Sequence, residues 1–171
     1  MTTNTGRLAD GTQVQVVDLA QPVHPGIPYS PNHPGYKHAL LRRHGDQVRV
    51  DGTSGANDII TLGTHTATHM DALAHISHNG LLHGGVEAAK AQVGGRYLEH
   101  GIHTIDPIVT SAVLVDVPAL HGVTRMSAGE AVTVADLDAA EVALGGRIAP
   151  GSAILIRTGW AQLWDDAHAF L

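Results

Sequence analysis

Residues 61–80 read TLGTHTATHMDALAHISHNG and hold five side chains able to bind a metal: His65, His69, Asp71, His75 and His78. The first four are separated by 4, 2 and 4 residues. Even spacing puts all four on one face if the segment is extended. If a helix begins near His69, Asp71 and His75 stand at i, i+4 and still share a face. Either geometry lets at least three nitrogen or oxygen ligands converge. Two neutral imidazoles and one carboxylate suit Zn²⁺, Mn²⁺ or Fe²⁺ and leave positions open for water and substrate. A further histidine beside the ion, but not on it, would be placed to move protons. A lone H-x-x-x-H is common in chains that bind no metal. Here Asp71 and His75 extend the pattern, and Gly63-Thr64 makes a tight lead-in to it.

Composition narrows the chemistry. The chain has 171 residues, enough for one domain with a sizeable core. It has no cysteine, which excludes thiolate metal ligands, disulfides and a thiol nucleophile in these residues. Lys+Arg is 10 against 16 Asp+Glu, a formal charge of -6, so nothing suggests nucleic acid or an anionic membrane as partner. No apolar run approaches the ~20 residues of a membrane span. The first thirteen residues are polar and lack the apolar centre of a signal peptide, so the expected location is cytoplasmic. No G-x-S-x-G, G-x-G-x-x-G or P-loop pattern occurs.

The elements that must position the histidines read as an alternation of strands and helices, an α/β pattern. Residues 1–11 read as a flexible tail before a single domain over 12–171. Gln13–Leu19 is β-branched and predicts a strand. Five prolines between Pro22 and Pro34 rule out helix and central strand, and predict a stiff, extended loop over 21–35 that can line a site. Residues 47–50 and 58–62 are short strand candidates joined through Gly52 and Gly55. Residues 84–93 predict a short helix ended by Gly94-Gly95. SAVLVDV at 111–117 and AILIR at 153–157 read as buried strands. Between them, Thr133-x-x-Asp136 resembles a capping box that opens a helix with Val134, Leu137, Ala140 and Leu144 on one side. Trp160 and Trp164 suit core or interface positions, and Arg157 is placed to pair with a carboxylate such as Asp116. His24 and His33 of the proline loop could contact substrate but read rather as exposed loop residues, one of His78 and His83 could line the pocket, and the remaining histidines read as surface residues.

HTATHMDALAH resembles the H-x-G-T-H-x-D-x-P-x-H signature of the cyclase-family metal hydrolases, which include kynurenine formamidase and isatin hydrolase. Four further blocks resemble the family in the same order: Asp18-Leu19 with Gln21-Pro22 and Gly26-Ile27-Pro28, then Gly84-Gly85-Val86, Ile108-Val109-Thr110, and Ile156-Arg157-Thr158-Gly159-Trp160. The resemblance implies a swivelling β/β/α fold, assembled as a dimer or higher homo-oligomer. It implies metal ligands at His65, His69 and Asp71, and a catalytic acid/base at His75. Thr68, beside a ligand, would be a hydrogen bonder behind the metal. Three positions depart from the signature. Ala67 replaces a glycine, a mild change if its φ is negative. Ala72-Leu73 replaces a frequent proline, a spelling that longer relatives share. Ser30 stands where kynurenine formamidases place a substrate-contacting tryptophan, with Tyr29 as the nearest aromatic, which weakens formylkynurenine as the substrate. The late His and Glu that hold a second metal in dinuclear relatives have no counterpart before Leu171. The chain is therefore expected to be the N-terminal portion of the family domain, with an exposed apolar patch around Ile154, Ile156, Trp160 and Leu163.

The expected function is hydrolysis of a C–N amide bond in a small aryl or cyclic amide. The cofactor is a divalent metal, Zn or Mn, which lowers the pKa of a water toward ~7. Tyr29 and Ser30 are the candidate substrate contacts. The rivals are a truncated, non-catalytic metal-binding or oligomerising remnant, and a dehydratase or cyclase using the same metal.

Overall fold

The computed structural model describes residues 2–171. The chain divides into two compact units, one running to His69 and taking back Trp164–Leu171, the other Met70–Leu163. Its described strands pair two by two into four small sheets.

The first unit is built on two antiparallel hairpins. Strand β1 (Thr2–Arg7) pairs with β2 (Gln13–Asp18), from Thr2↔Asp18 to Arg7↔Gln13. Residues 2–7 are therefore a strand and not a frayed tail. Their polar sequence hides this, because the order comes from the partner strand. The turn between them is closed by the Asp10 side chain, which accepts from the Thr12 N–H at 2.9 Å, with Gly11 at φ +88°. Strand β3 (Lys37–Arg42) pairs with β4 (Asn57–Thr61) across a bulge at Leu40/Arg42. The expected strand over 47–50 reduces to one bridge, Val48↔Ser54.

The proline segment 21–35 is a loop, as its composition requires, with Ile27 and Pro28 buried. Buried Trp164 anchors it, the indole N–H donating to the Pro22 carbonyl at 3.0 Å. Phe170, on α4 (Ala167–Phe170), meets the Trp164 ring edge-on at 5.6 Å. The last residues of the chain thus hold the start of the loop.

The second unit carries the larger core. Strands β7 (Ala112–Asp116) and β8 (Ala153–Arg157) run parallel, Ala112↔Ala153 through Asp116↔Arg157. Between them lie α2 (Val117–Leu120) and α3 (Val134–Ala143). The capping box forms as the sequence predicts. The Asp136 N–H donates to Thr133 Oγ1, and the Thr133 N–H donates to the Asp136 carboxylate. Val115, Val117, Met126 and Ala140 make the core, with Leu137 and Ile148 packed on it. Val134 and Leu144, expected on the same apolar side, are exposed instead. Arg157 Nη1 donates to Asp116 Oδ1 at 2.7 Å, the pairing the sequence suggested.

Burial of β8 on both faces does not occur. Ile154 and Ile156 are each 47% exposed, since among the described strands only β7 flanks β8. Trp160 and Leu163, the other residues of the expected patch, are half-buried. Residues 84–93 do not form one helix. They hold a 3-10 turn (His83–Gly85), a single helical turn α1 (Ala88–Ala91), and the start of a hairpin, β5 (Gln92–Val93) with β6 (Arg96–Tyr97). Gly94 and Gly95, at φ +56° and +76°, form the hairpin turn and do not cap a helix. No helix among the described residues is long and apolar enough to cross a membrane.

Candidate metal centre

The segment after β4 is neither strand nor helix. Residues 64–68 are a bend, and 73–75 a turn in which the His75 N–H donates to the Ala72 carbonyl at 2.9 Å. The shared-face arguments from regular geometry therefore do not apply. The convergence comes from the bend itself.

One donor atom from each of His65, His69 and Asp71 lies within 4.8 Å of the other two. Metal–ligand bonds of ~2.1 Å place two donors of one ion at most about 4.2 Å apart. A tetrahedral ion with bonds of that length sets its donors about 3.4 Å apart, so the group needs to draw in by up to about 1.4 Å to hold one cation, and two imidazoles with a carboxylate suit a borderline divalent ion. His65 is half-buried, while His69 and Asp71 are exposed. The rings of His65 and His69 stand edge to face, centroids 5.4 Å apart.

The bend also fixes the chemistry of His69. Its Nδ1 lies 2.8 Å from the Ala67 carbonyl, which can only accept, so Nδ1 carries the proton. A neutral imidazole protonated on Nδ1 would ligate a metal through Nε2, the usual arrangement behind a histidine ligand. Ala67 reaches this position with φ +59°. The condition under which alanine would be a mild replacement for glycine is thus not met, and the turn is built with some strain.

Thr68 does not back a ligand by any described bond. Its Oγ1 accepts the Gln21 N–H at 2.9 Å and so ties the start of the proline loop to the bend. A second tie is the Gly63 N–H donating to the Pro34 carbonyl at 3.0 Å. A Cβ on Gly63 would lie 3.3 Å from His33 Cβ and 3.4 Å from both Pro34 Cδ and Thr66 Oγ1, so the loop packs closely on this glycine. The loop brings His33 over the site, its ring centroid 5.8 Å from that of His65. His33 Nδ1 and the hydroxyl of buried Thr66 are both shielded from solvent without a hydrogen-bond partner. The sequence favoured an exposed loop position for His33 over a substrate contact. The only signal in the chain was its place between Pro31 and Pro34, which stiffen the loop.

Tyr29 and Ser30 have described contacts within their own loop. The Tyr29 ring lies against Gly35, where a Cβ would come 2.7 Å from Cζ, and the Ser30 carbonyl accepts the His33 N–H at 2.9 Å. His75 is exposed and stands outside the converging group, four residues after Asp71.

Residues 17–171 match the family model described as "Putative cyclase". The chain belongs to the Cyclase family. Its α/β fold agrees with solved structures of that family. A crystal structure of a novel cyclase superposes with a TM-score of 0.75 at 26% identity, over 86% of this chain and 51% of that one. Isatin hydrolase A from Ralstonia solanacearum gives a TM-score of 0.60 at 28% identity, over 91% of this chain and 53% of that one. The chain thus spans about half the length of either structure. No curated protein matches the chain.

Proposed function

We propose that this cyclase-family chain carries the metal-binding half-site of a hydrolase that opens the C–N bond of a small aryl or cyclic amide. The observation that carries the reading is the convergence of His65, His69 and Asp71 with the His69 tautomer set for a metal. The similarity to a protein named as an isatin hydrolase supports an amide carbonyl as the reacting group. Three protein donors leave coordination positions free, which favours a catalytic site over a closed structural one.

His65, His69 and Asp71 would hold the cation, Zn²⁺ or Mn²⁺. Bound there, it would acidify a water and polarise a substrate carbonyl. His75 acts as the proton carrier. It accepts a proton from the water as the water oxygen bonds to the carbonyl carbon, and returns it to the nitrogen as the C–N bond breaks. The products are a carboxylic acid and an amine, on one molecule if the substrate is a ring. Imidazole suits this double task because its ordinary pKa lies near neutrality. The loop 21–35 is tied to the bend through Thr68 and Gly63, and its His33 ring, 5.8 Å from that of His65, would sit beside an amide held at the cation.

Calorimetric titration with Zn²⁺ and Mn²⁺, together with a turnover screen of formanilides, isatins and cyclic imides, tests the reading. His75→Ala is expected to lower kcat by ~10²–10⁴ with cation affinity unchanged. Loss of cation binding in that variant would make His75 a ligand and overturn the role assigned to it.

A further inference from the structure

His100 stands in the left-handed region at φ +58°, one of three non-glycine residues among those described with positive φ. Two hydrogen bonds hold it there. Its ring Nε2 lies 3.1 Å from the His83 carbonyl, which can only accept, so Nε2 donates. Its own carbonyl accepts the Ala74 N–H at 3.1 Å. The ring also meets that of His83 edge-on, centroids 6.1 Å apart. Ala74 is the residue before His75, and its side chain is buried with Leu82 and Ala91 in a small core of its own. The same core is tied to the segment before His100 by the Leu98 N–H, which donates to Ala91 at 2.8 Å.

We propose that His100 is a positioning residue for His75. Its ring, anchored on the 83–85 turn, holds its carbonyl where it fixes the Ala74 amide. That fixes where the 72–75 turn presents His75. A left-handed backbone at a non-glycine residue is retained where the surroundings over-determine it, and such positions cluster at functional sites. Here the surroundings are the two hydrogen bonds, and the segment they hold leads directly into the proton carrier. A misplacement of the order of 1 Å is enough to slow a proton transfer severely. The inference rests on the reading of His75 as the acid/base.

His100→Gly tests it, since glycine accepts the same φ and removes only the ring. His100→Asn is the second variant, because asparagine also tolerates left-handed backbone and is too short to reproduce the ring contact. Both are measured beside His75→Ala on the panel amide the native protein turns over fastest, with Mn²⁺ affinity by calorimetry and amide exchange at Ala74 by NMR. The expected result is a kcat lowered by on the order of tenfold, with KM and Mn²⁺ affinity within about twofold of native and faster exchange at Ala74. Native kcat in both His100 variants, beside an impaired His75→Ala, overturns this inference alone. So does a joint loss of kcat, KM and Mn²⁺ affinity, which marks a merely structural role, or an unchanged exchange rate at Ala74. Native kcat in His75→Ala, or no turnover of any panel amide by the native protein, overturns the reading of the site and this inference with it.

Discussion

Ala67 offers a direct measure of how the metal segment is built. Its φ of +59° puts an L-residue where the Cβ crowds the following carbonyl, at a cost of roughly 1–2 kcal/mol. The bend needs that conformation, because it aims the Ala67 carbonyl at His69 Nδ1, 2.8 Å away. Ala67→Gly removes the crowding and keeps the carbonyl. Against this gain, glycine loosens the unfolded chain, which costs about 0.4–1 kcal/mol. The net is a stabilisation of about 0.5–1 kcal/mol. For a chain of this size that is a rise in Tm of roughly 1–4 °C. Ala67→Val shifts the other way, since a β-branched residue fits the left-handed region worse than alanine. Thermal unfolding followed by circular dichroism, with and without Mn²⁺, gives both numbers. The gain from Ala67→Gly should be the same in either condition, because the strain belongs to the backbone and not to the ion. A lower Tm for Ala67→Gly, or no difference between the glycine and valine variants, would refute the strained-turn account.

Three other outcomes follow from the same geometry. His69→Ala and Asp71→Ala should each weaken Zn²⁺ or Mn²⁺ binding by at least tenfold in calorimetric titration, whereas His78→Ala should leave it within about twofold. The Asp136 carboxyl is held below its ordinary 3.8 by hydrogen bonds from the Thr133 backbone and hydroxyl, and then from His121. A group with a lowered folded pKa adds stability above its unfolded value and loses it as pH falls through the folded one. Acid unfolding of the native protein should therefore steepen below about pH 3.8, and Asp136→Asn should flatten that limb in a pH series of denaturant melts. The half-exposed Ile154 and Ile156 of β8 form an apolar face suited to self-association, so sedimentation velocity is expected to show a dimer or larger homo-oligomer, and Ile156→Lys to shift it toward monomer.

Local features were legible where a short stretch of chain carries its own physics. The capping box at Thr133 and Asp136 closes over three residues, and the runs 111–117 and 153–157 are apolar enough to become strands in any compact fold. Failures came where a partner distant in sequence decides the state. Strand β1 is polar and gains its order from β2, and β3 was not anticipated at all because its mixed polarity declares itself only when β4 lies beside it. Gly94-Gly95 fits a helix end and a hairpin turn equally well by residue type. The pairing of Gln92 with Tyr97 makes it a hairpin.

For the candidate site, sequence determined the donor set. Histidine and aspartate at 65, 69, 71 and 75 are side-chain chemistry, and their nearness in the chain forces some of them together whatever the backbone does. It could not determine how they meet, because regular periodicities describe only strands and helices and this segment is neither. Tertiary structure decided the left-handed Ala67 and through it the tautomer of His69. It also decided that the His33 ring lies beside that of His65, and that His100 reaches the amide before His75. The His33 and His100 contacts join residues far apart in the chain and are set by packing and hydrogen bonding that no local pattern encodes, whereas the Ala67–His69 contact spans only two residues but follows no regular period.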